Sequence, residues 1–427
     1  MLNHIEEQIK ALGCTTWELR EETTKAWEFY FIRHELDQNR ITEVRTFPVT
    51  LYRPLEGELL GSASGEIAPT DSDREIKKKL ADIYYQASLV KNPGYKLNDK
   101  PVASPALKDV DTAAIAKDFI TAMAKVHETE TEFVNSYEIF VREITRHYIN
   151  SNGVEYTVRY PSSMIEVIVN ARKADHEIEL YRMFESGTCD AQKLCRDVEK
   201  ALRYGKDRLV TEPTPALNKY DVLLSTDDAL QVYRWYFADK IDTEMIHSKL
   251  SDWKPGKAVA EYTTGDRITL KAVSTLQNSS EDYPIDKEGA VIRDRTLIRD
   301  GVVESLWGSR QFSQYLGVED SALAANFVVE GGACSEAELR EGDYLEVVEF
   351  SDFQVNSVSG DIAGEIRLGY LHQNGTVRIV TGGSVSGKIE DVVPTMRFSR
   401  ETEQYDTWVI PRVTLLKNLK ITGAERQ

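Results

Sequence analysis

The sequence predicts an α+β fold, two N-terminal α/β units followed by a β-rich C-terminal domain, with expected spans 1–100, 101–215 and 216–427. Helix-period and strand-type segments alternate twice before residue 215, and from Ala258 onward the pattern is almost all β. The third observation is the stretch from Ser351 to Lys388. There Asn374-Gly375 lies between the runs 366–371 and 377–380, a hairpin signal because a type I′ turn needs two residues that tolerate positive φ.

In the first unit, residues 1–13 suit a short helix, and Trp27 to Leu36 and Ile41 to Tyr52 are β-branched and aromatic enough for strands. Gly61 to Gly65 reads as turn-rich. Ser72 and Glu75 form a capping box ahead of Ile76, Leu80, Ile83 and Ala87 at helical spacing. Residues 91–105 have proline and glycine in linker proportion.

The second unit repeats this order. A helix is expected around Asp111 to Ala124, then strands over Phe133 to Ile149, Val154 to Tyr160 and Met164 to Ala171, and a helix from about Asp190 to Tyr204. Thr211 to Pro215 marks the next boundary. Tyr220 to Leu224 reads as a buried strand leading into a helical stretch from Asp227 to Leu250. Beyond it, strands are expected at Ile268 to Val273, Ala290 to Ile298, Val302 to Trp307 and Tyr344 to Phe350, with short helices at Arg310 to Leu316 and Glu336 to Arg340.

Bulk composition narrows the function. The net charge of −18 is the wrong sign for collecting nucleic-acid phosphates, so no direct nucleic-acid partner is expected. The amino terminus lacks the basic and apolar pattern of a signal peptide, and no run approaches the roughly 18 apolar residues of a membrane span. No membrane association is expected. With four cysteines and no disulfide framework, a cytoplasmic location is expected.

Motifs for metal, nucleophile and phosphate chemistry all fall short. His34-Glu35, His127-Glu128 and His176-Glu177 each lack a second histidine four or five residues on, so a zinc peptidase helix is absent. Cys189 and Cys195 are too far apart for a zinc knuckle, and Cys334, in a glycine-rich turn, has no identifiable base. Residues 382–388 match G-x-x-x-x-G-K, but Ile389 stands where a hydroxyl should hold Mg²⁺, and a strand is expected next. Asp227-Asp228 reads as a helix start. No catalytic, cofactor-binding or metal residue is therefore assigned.

Five pieces in order resemble the TldD/PmbA family, described as metallopeptidases and modulators of DNA gyrase. They are Ile149 to Gly153, Tyr220 to Leu224, Asp286 to Gly289 with the hairpin Leu297 to Val302, Phe353 to Asp361, and Pro411 to Gly423. In that family, metal-bearing TldD-like members carry HExxxH on the helix after the third-domain strand and a later cysteine ligand. PmbA-like (TldE) members lack them. The matching segment here, Ser225 to Phe237, has no histidine, and no cysteine follows Cys334, so the resemblance implies the PmbA-like kind.

The resemblance implies a subunit that is not catalytic alone and holds no cofactor of its own, with zinc carried by a TldD-like partner. The pair would act on peptides or unfolded protein in proteolysis or peptide maturation. The alternatives are an independently active peptidase with an unconventional site and a homodimeric binding or scaffold protein.

Overall fold

The computed structural model describes residues 1–320 and 322–424. The N-terminal sheet is built from β1 (Thr16–Ile32), β2 (Glu35–Leu55), β3 (Leu59–Ile67), β4 (Asn92–Pro93), β5 (Glu132–Asn150), β6 (Glu155–Lys173) and β7 (His176–Ser186). Its antiparallel order is β4-β3-β2-β1-β5-β6-β7. The two expected N-terminal units thus share one sheet, joined where β1 pairs with β5 from Glu18–Asn150 to Ile32–Ser136.

Four helices pack on one face of this sheet: α1 (Leu2–Ala11), α2 (Asp73–Ala87), α3 (Thr112–Met123) and α4 (Ala191–Arg208). Each forms for a local reason. The Ser72–Glu75 capping box starts α2, and Asp111 and Asp190 cap α3 and α4 by accepting from Ala114 and Lys193 N–H. Buried Ile76, Leu80 and Ile83 of α2 and Leu194, Val198 and Leu202 of α4 then meet Leu19, Val49, Val141 and Ile165 of the sheet.

Two local expectations change. Gly61 to Gly65 lies inside β3, not in a turn. Glycine is needed there because α2 rests directly on the strand: a Cβ on Gly61 would fall 1.7 Å from the Ala87 carbonyl oxygen. Strands expected separately at 154–160 and 164–171 are one strand, β6, and the β1/β2 turn at Arg33-His34 places Glu35 and Leu36 in β2.

Beyond α4 come β8 (Glu212–Pro213), β9 (Leu217–Leu224), β10 (Leu270–Val273), β11 (Arg295–Arg299), β12 (Val302–Val303) and β13 (Asn326–Val329). The stretch from Ser351 to Lys388 supplies the end of β14 (Tyr344–Val355), then β15 (Asp361–Gln373), β16 (Thr376–Thr381) and β17 (Ser384–Lys388). The chain ends through β18 (Arg397–Phe398), β19 (Thr402–Tyr405), β20 (Trp408–Pro411) and β21 (Thr414–Thr422). Asn374 and Gly375 have φ of +52° and +74°, as the I′ turn requires.

Ladders β14-β9-β21-β17-β15 close on themselves because β15 also pairs with β14, which removes most of the free edges of this sheet. A second sheet, β12-β11-β10-β13-β20-β19, packs on it around one large apolar core containing Val222, Leu270, Leu297, Val329, Ile366 and Leu416. The chain is therefore α+β with a β-rich C-terminal region. No helix among the described residues is long and apolar enough to cross a membrane.

The sheet face opposite the helices meets the C-terminal region through buried polar groups. Glu18 accepts from Tyr52 (2.6 Å) and Tyr148 (2.7 Å), and Asn150 donates to Tyr148 Oη (3.2 Å) and the Asn98 carbonyl (2.8 Å). Asn98 in turn donates to the Gly289 carbonyl and accepts from Arg310. Asp286 accepts from the N–H groups of Glu288, Ala290 and Leu323, and Tyr156 donates to the Asp286 carbonyl. Residues 91–105, expected as a linker, are a strap: Lys96 and Gln314 exchange two hydrogen bonds and Tyr315 donates to the Pro93 carbonyl.

Two predictions follow from this packing. Gly61→Val should lower stability by about 1–3 kcal/mol, read as the urea midpoint, because α2 must shift to admit the side chain. Burial first, then the charge of Asp286, pushes the Glu288 carboxyl up to about 7. Its folded pKa lies above its unfolded value, so folding retains a proton there. The stability it contributes is present below the unfolded value and is lost as pH rises through the folded one. Glu288→Gln, which keeps an acceptor for the Arg310 N–H, should match the parent protein near pH 4 and exceed it by about 2–3 kcal/mol near pH 8.

Candidate ligand cleft

A cleft of about 360 Å³ opens where the end of β7 meets the six-stranded sheet. Its apolar floor comes from β13 and β20. Phe327 and Trp408 stack with centroids 4.5 Å apart, and Trp307 meets Phe327 edge-on at 5.0 Å. The opposite wall is the segment after β9. It was expected to be one helical stretch from Asp227 to Leu250 but is broken into a 3₁₀ turn, a short α turn, a π turn at Tyr233–Ala238 and a helix at Thr243–His247.

Sequence explains which way this wall faces. Tyr233, Tyr236 and Phe237 are buried in the C-terminal core, with Tyr233 bonded to Thr414 at 2.8 Å. Arg234 and Trp235 are out of phase with them and turn toward the cleft, the guanidinium 4.7 Å from the indole centroid. Asp239 joins them because an i→i+5 turn brings residues four and five apart to one side. Trp307 Nε1–H anchors the turn by donating to the Ala238 carbonyl at 2.8 Å.

The rim is acidic: Glu185, Asp239, Glu281 and Asp406 line it with Arg234, and the Arg142 guanidinium also acts on Glu185. Asp406 accepts from Ser280 N–H and Oγ–H at 2.8 and 2.7 Å. Burial pushes Asp239 up to about 6, against a hydrogen bond from Ser357. Burial and the neighbouring Asp406 charge also raise Glu185. Glu185 has no hydrogen-bond or ion-pair partner among the described residues.

The motifs weighed from sequence do not assemble here. His34 bonds to Glu128 at the β1/β2 turn, His176 begins β7, and His127 lies beyond α3, its N–H donating to Glu199. Cys195 donates to the Ala122 carbonyl, burial pushes Cys189 up to about 12, and Arg397 sits 3.6 Å from the Cys334 sulfur. Asp227-Asp228 does start a 3₁₀ turn, yet Asp228 is raised to about 7 by burial and then by Asp227.

Residues 384–388 are strand β17, and Lys388 is engaged with Asp361. A four-residue helix, Ile389–Val392, follows where a strand was expected. No cradle for phosphate exists there.

Among the described residues, no three His, Cys, Asp or Glu side chains converge as a metal-ligand set. Zinc favours imidazole and thiolate donors, and the cleft supplies carboxylates and indoles, so its residues do not fit a zinc ion. The cleft residues themselves escaped sequence reading. The available signal was Trp235, a large apolar residue on the polar side of an otherwise buried helical pattern.

The fold and cleft define an α+β protein whose C-terminal half, residues 217–423, matches the family described as the PmbA/TldA metallopeptidase C-terminal domain. No protein of curated function matches the chain. Three crystal structures share its fold along nearly the whole length, each at 15% identity. TldE from Thermococcus kodakarensis has a TM-score of 0.76, with 98% of this chain and 100% of that one covered. A protein from Thermotoga maritima described as a candidate modulator of a DNA gyrase has a TM-score of 0.73, with 99% and 100% covered. One so described from Bacteroides thetaiotaomicron has a TM-score of 0.79, with 99% and 98% covered. The chain thus resembles the TldD/PmbA family through its C-terminal region and shares the fold of these three structures along nearly its whole length.

The two indoles of the cleft should separate on substitution. Trp408→Ala, at a 3% exposed stacked site, should cost about 3–5 kcal/mol in urea unfolding. Trp235→Ala, at a 44% exposed site, should change stability by less than about 1 kcal/mol.

Proposed function

We propose that this chain is the PmbA-like, TldE-type subunit of a two-subunit cytoplasmic metallopeptidase. The zinc chemistry is supplied by a TldD-like partner, and peptides or unfolded protein are the substrate. The observation that carries the reading is the wall after β9. At the segment that carries HExxxH in metal-bearing relatives, this chain presents Arg234, Trp235 and Asp239, a cation and an indole where a zinc site needs imidazoles. The subunit contributes binding surface rather than bond cleavage.

The gyrase-modulator description of two structural neighbours concerns those proteins. In this chain the net charge of −18 opposes direct contact with DNA. A modulating role here would run through peptide chemistry.

The purified chain should contain far less than one zinc per molecule by elemental analysis and should form a stoichiometric complex with the TldD-like subunit of its own cell. Chelator-sensitive cleavage of denatured protein should require both subunits. A homodimer indifferent to that subunit, or chelator-resistant cleavage by the chain alone, would overturn the reading.

A further inference from the structure

The lining of the cleft carries more carboxylates than cations. Four carboxylates line it against one lining cation, Arg234, with the Arg142 guanidinium also acting on Glu185. Asp406 is engaged in holding Ser280, the exposed Glu185 side chain makes no hydrogen bond or ion pair among the described residues, and the Asp239 carboxylate accepts only a long bond of 3.3 Å from Ser357. The cavity is within the size range of small-ligand sites. Trp235 stands at its mouth with 44% of its surface exposed, an arrangement suited to an aliphatic stem and a cationic head.

The cation already present shows the geometry in use, since the Arg234 guanidinium lies over the Trp235 ring. The cleft also sits at the end of a free sheet edge. β7 is the outermost strand, pairing only with β6 among the described residues, and its penultimate residue is Glu185. An extended peptide added along that edge can deliver a side chain to the cleft while its backbone is held by strand pairing.

We propose that the cleft binds the cationic end of a basic peptide residue, lysine or arginine, with its nitrogen held between Glu185 and Asp239 and its stem laid on Trp235. The cation preference rests on the cleft alone; only its assignment to a peptide rests on the subunit reading above. The full-length chain by itself is the test object, so pairing and cleft binding are read separately.

Calorimetric titration would compare three probes: a blocked Gly-Lys-Gly peptide, its norleucine counterpart, and 1,5-diaminopentane as a free amine of the same reach. The lysine peptide should bind saturably, with the norleucine peptide weaker by about tenfold or more. The Glu185→Gln/Asp239→Asn double variant should lose about tenfold in lysine-peptide affinity while keeping the parent melting curve, and Trp235→Ala should weaken it independently of the carboxylates.

Equal binding of the lysine and norleucine peptides, no binding of the lysine peptide, or parent affinity in a folded double variant would overturn the proposal. Tighter binding of the diamine than of the peptide would overturn its assignment to peptides. Lysine-peptide binding by a chain that never pairs would remove the subunit reading and leave the cleft assignment standing.

Discussion

The structure depends on a buried polar seam between the N-terminal sheet and the C-terminal β region, centred on the Glu18 carboxylate. Its two oxygens accept hydrogen bonds from the Tyr52 and Tyr148 hydroxyls, and burial pushes its pKa up. Buried polar groups are costly unless bonded, and here the bonds run unbroken from Glu18 through Tyr148, Asn150 and Asn98 to Gly289. An apolar seam would tolerate sliding, whereas each of these bonds has a direction. The seam therefore sets one register between the two halves, and with it the position of β7 against the six-stranded sheet.

That register makes the cleft. Glu185 arrives from one half, and Arg234, Asp239, Asp406 and the indole floor arrive from the other. The wall is widened by the π turn, whose buried side is tied to the core by Tyr233, Tyr236 and Phe237. Such turns give up regular helical bonding, and here the change aims Arg234, Trp235 and Asp239 at one space. Zinc chemistry does not suit that donor set, while recognition of a cation does.

Several of the segments that carry the family resemblance do structural work at the seam and cleft. Asn150 accepts from the N–H groups of Asn152 and Val154, closing the β5/β6 turn, while its amide group spans to the strap. Asp286 gathers three backbone N–H groups, and Asn356 accepts from Val358 and Ser359 in the β14/β15 turn that brings Ser357 to Asp239. The phosphate-loop pattern at 382–388 has no such role: its glycines with positive φ make a turn and its remainder is strand.

Sequence alone determined what nearest neighbours along the chain control. The Ser72–Glu75 box, the helical spacing in α2, α3 and α4, and the positive-φ pair Asn374-Gly375 were legible because a few adjacent residues settle them. The α+β class followed from their order. Tertiary structure decided the rest. The β1/β5 ladder merges two units into one sheet, the turn-like Gly61 to Gly65 becomes strand because α2 lies on it, and the helix after β9 breaks to bury three aromatics. The cleft draws side chains from Glu185 to Trp408, whose meeting is set by packing and buried hydrogen bonds, and no local preference along the chain records a contact of that kind.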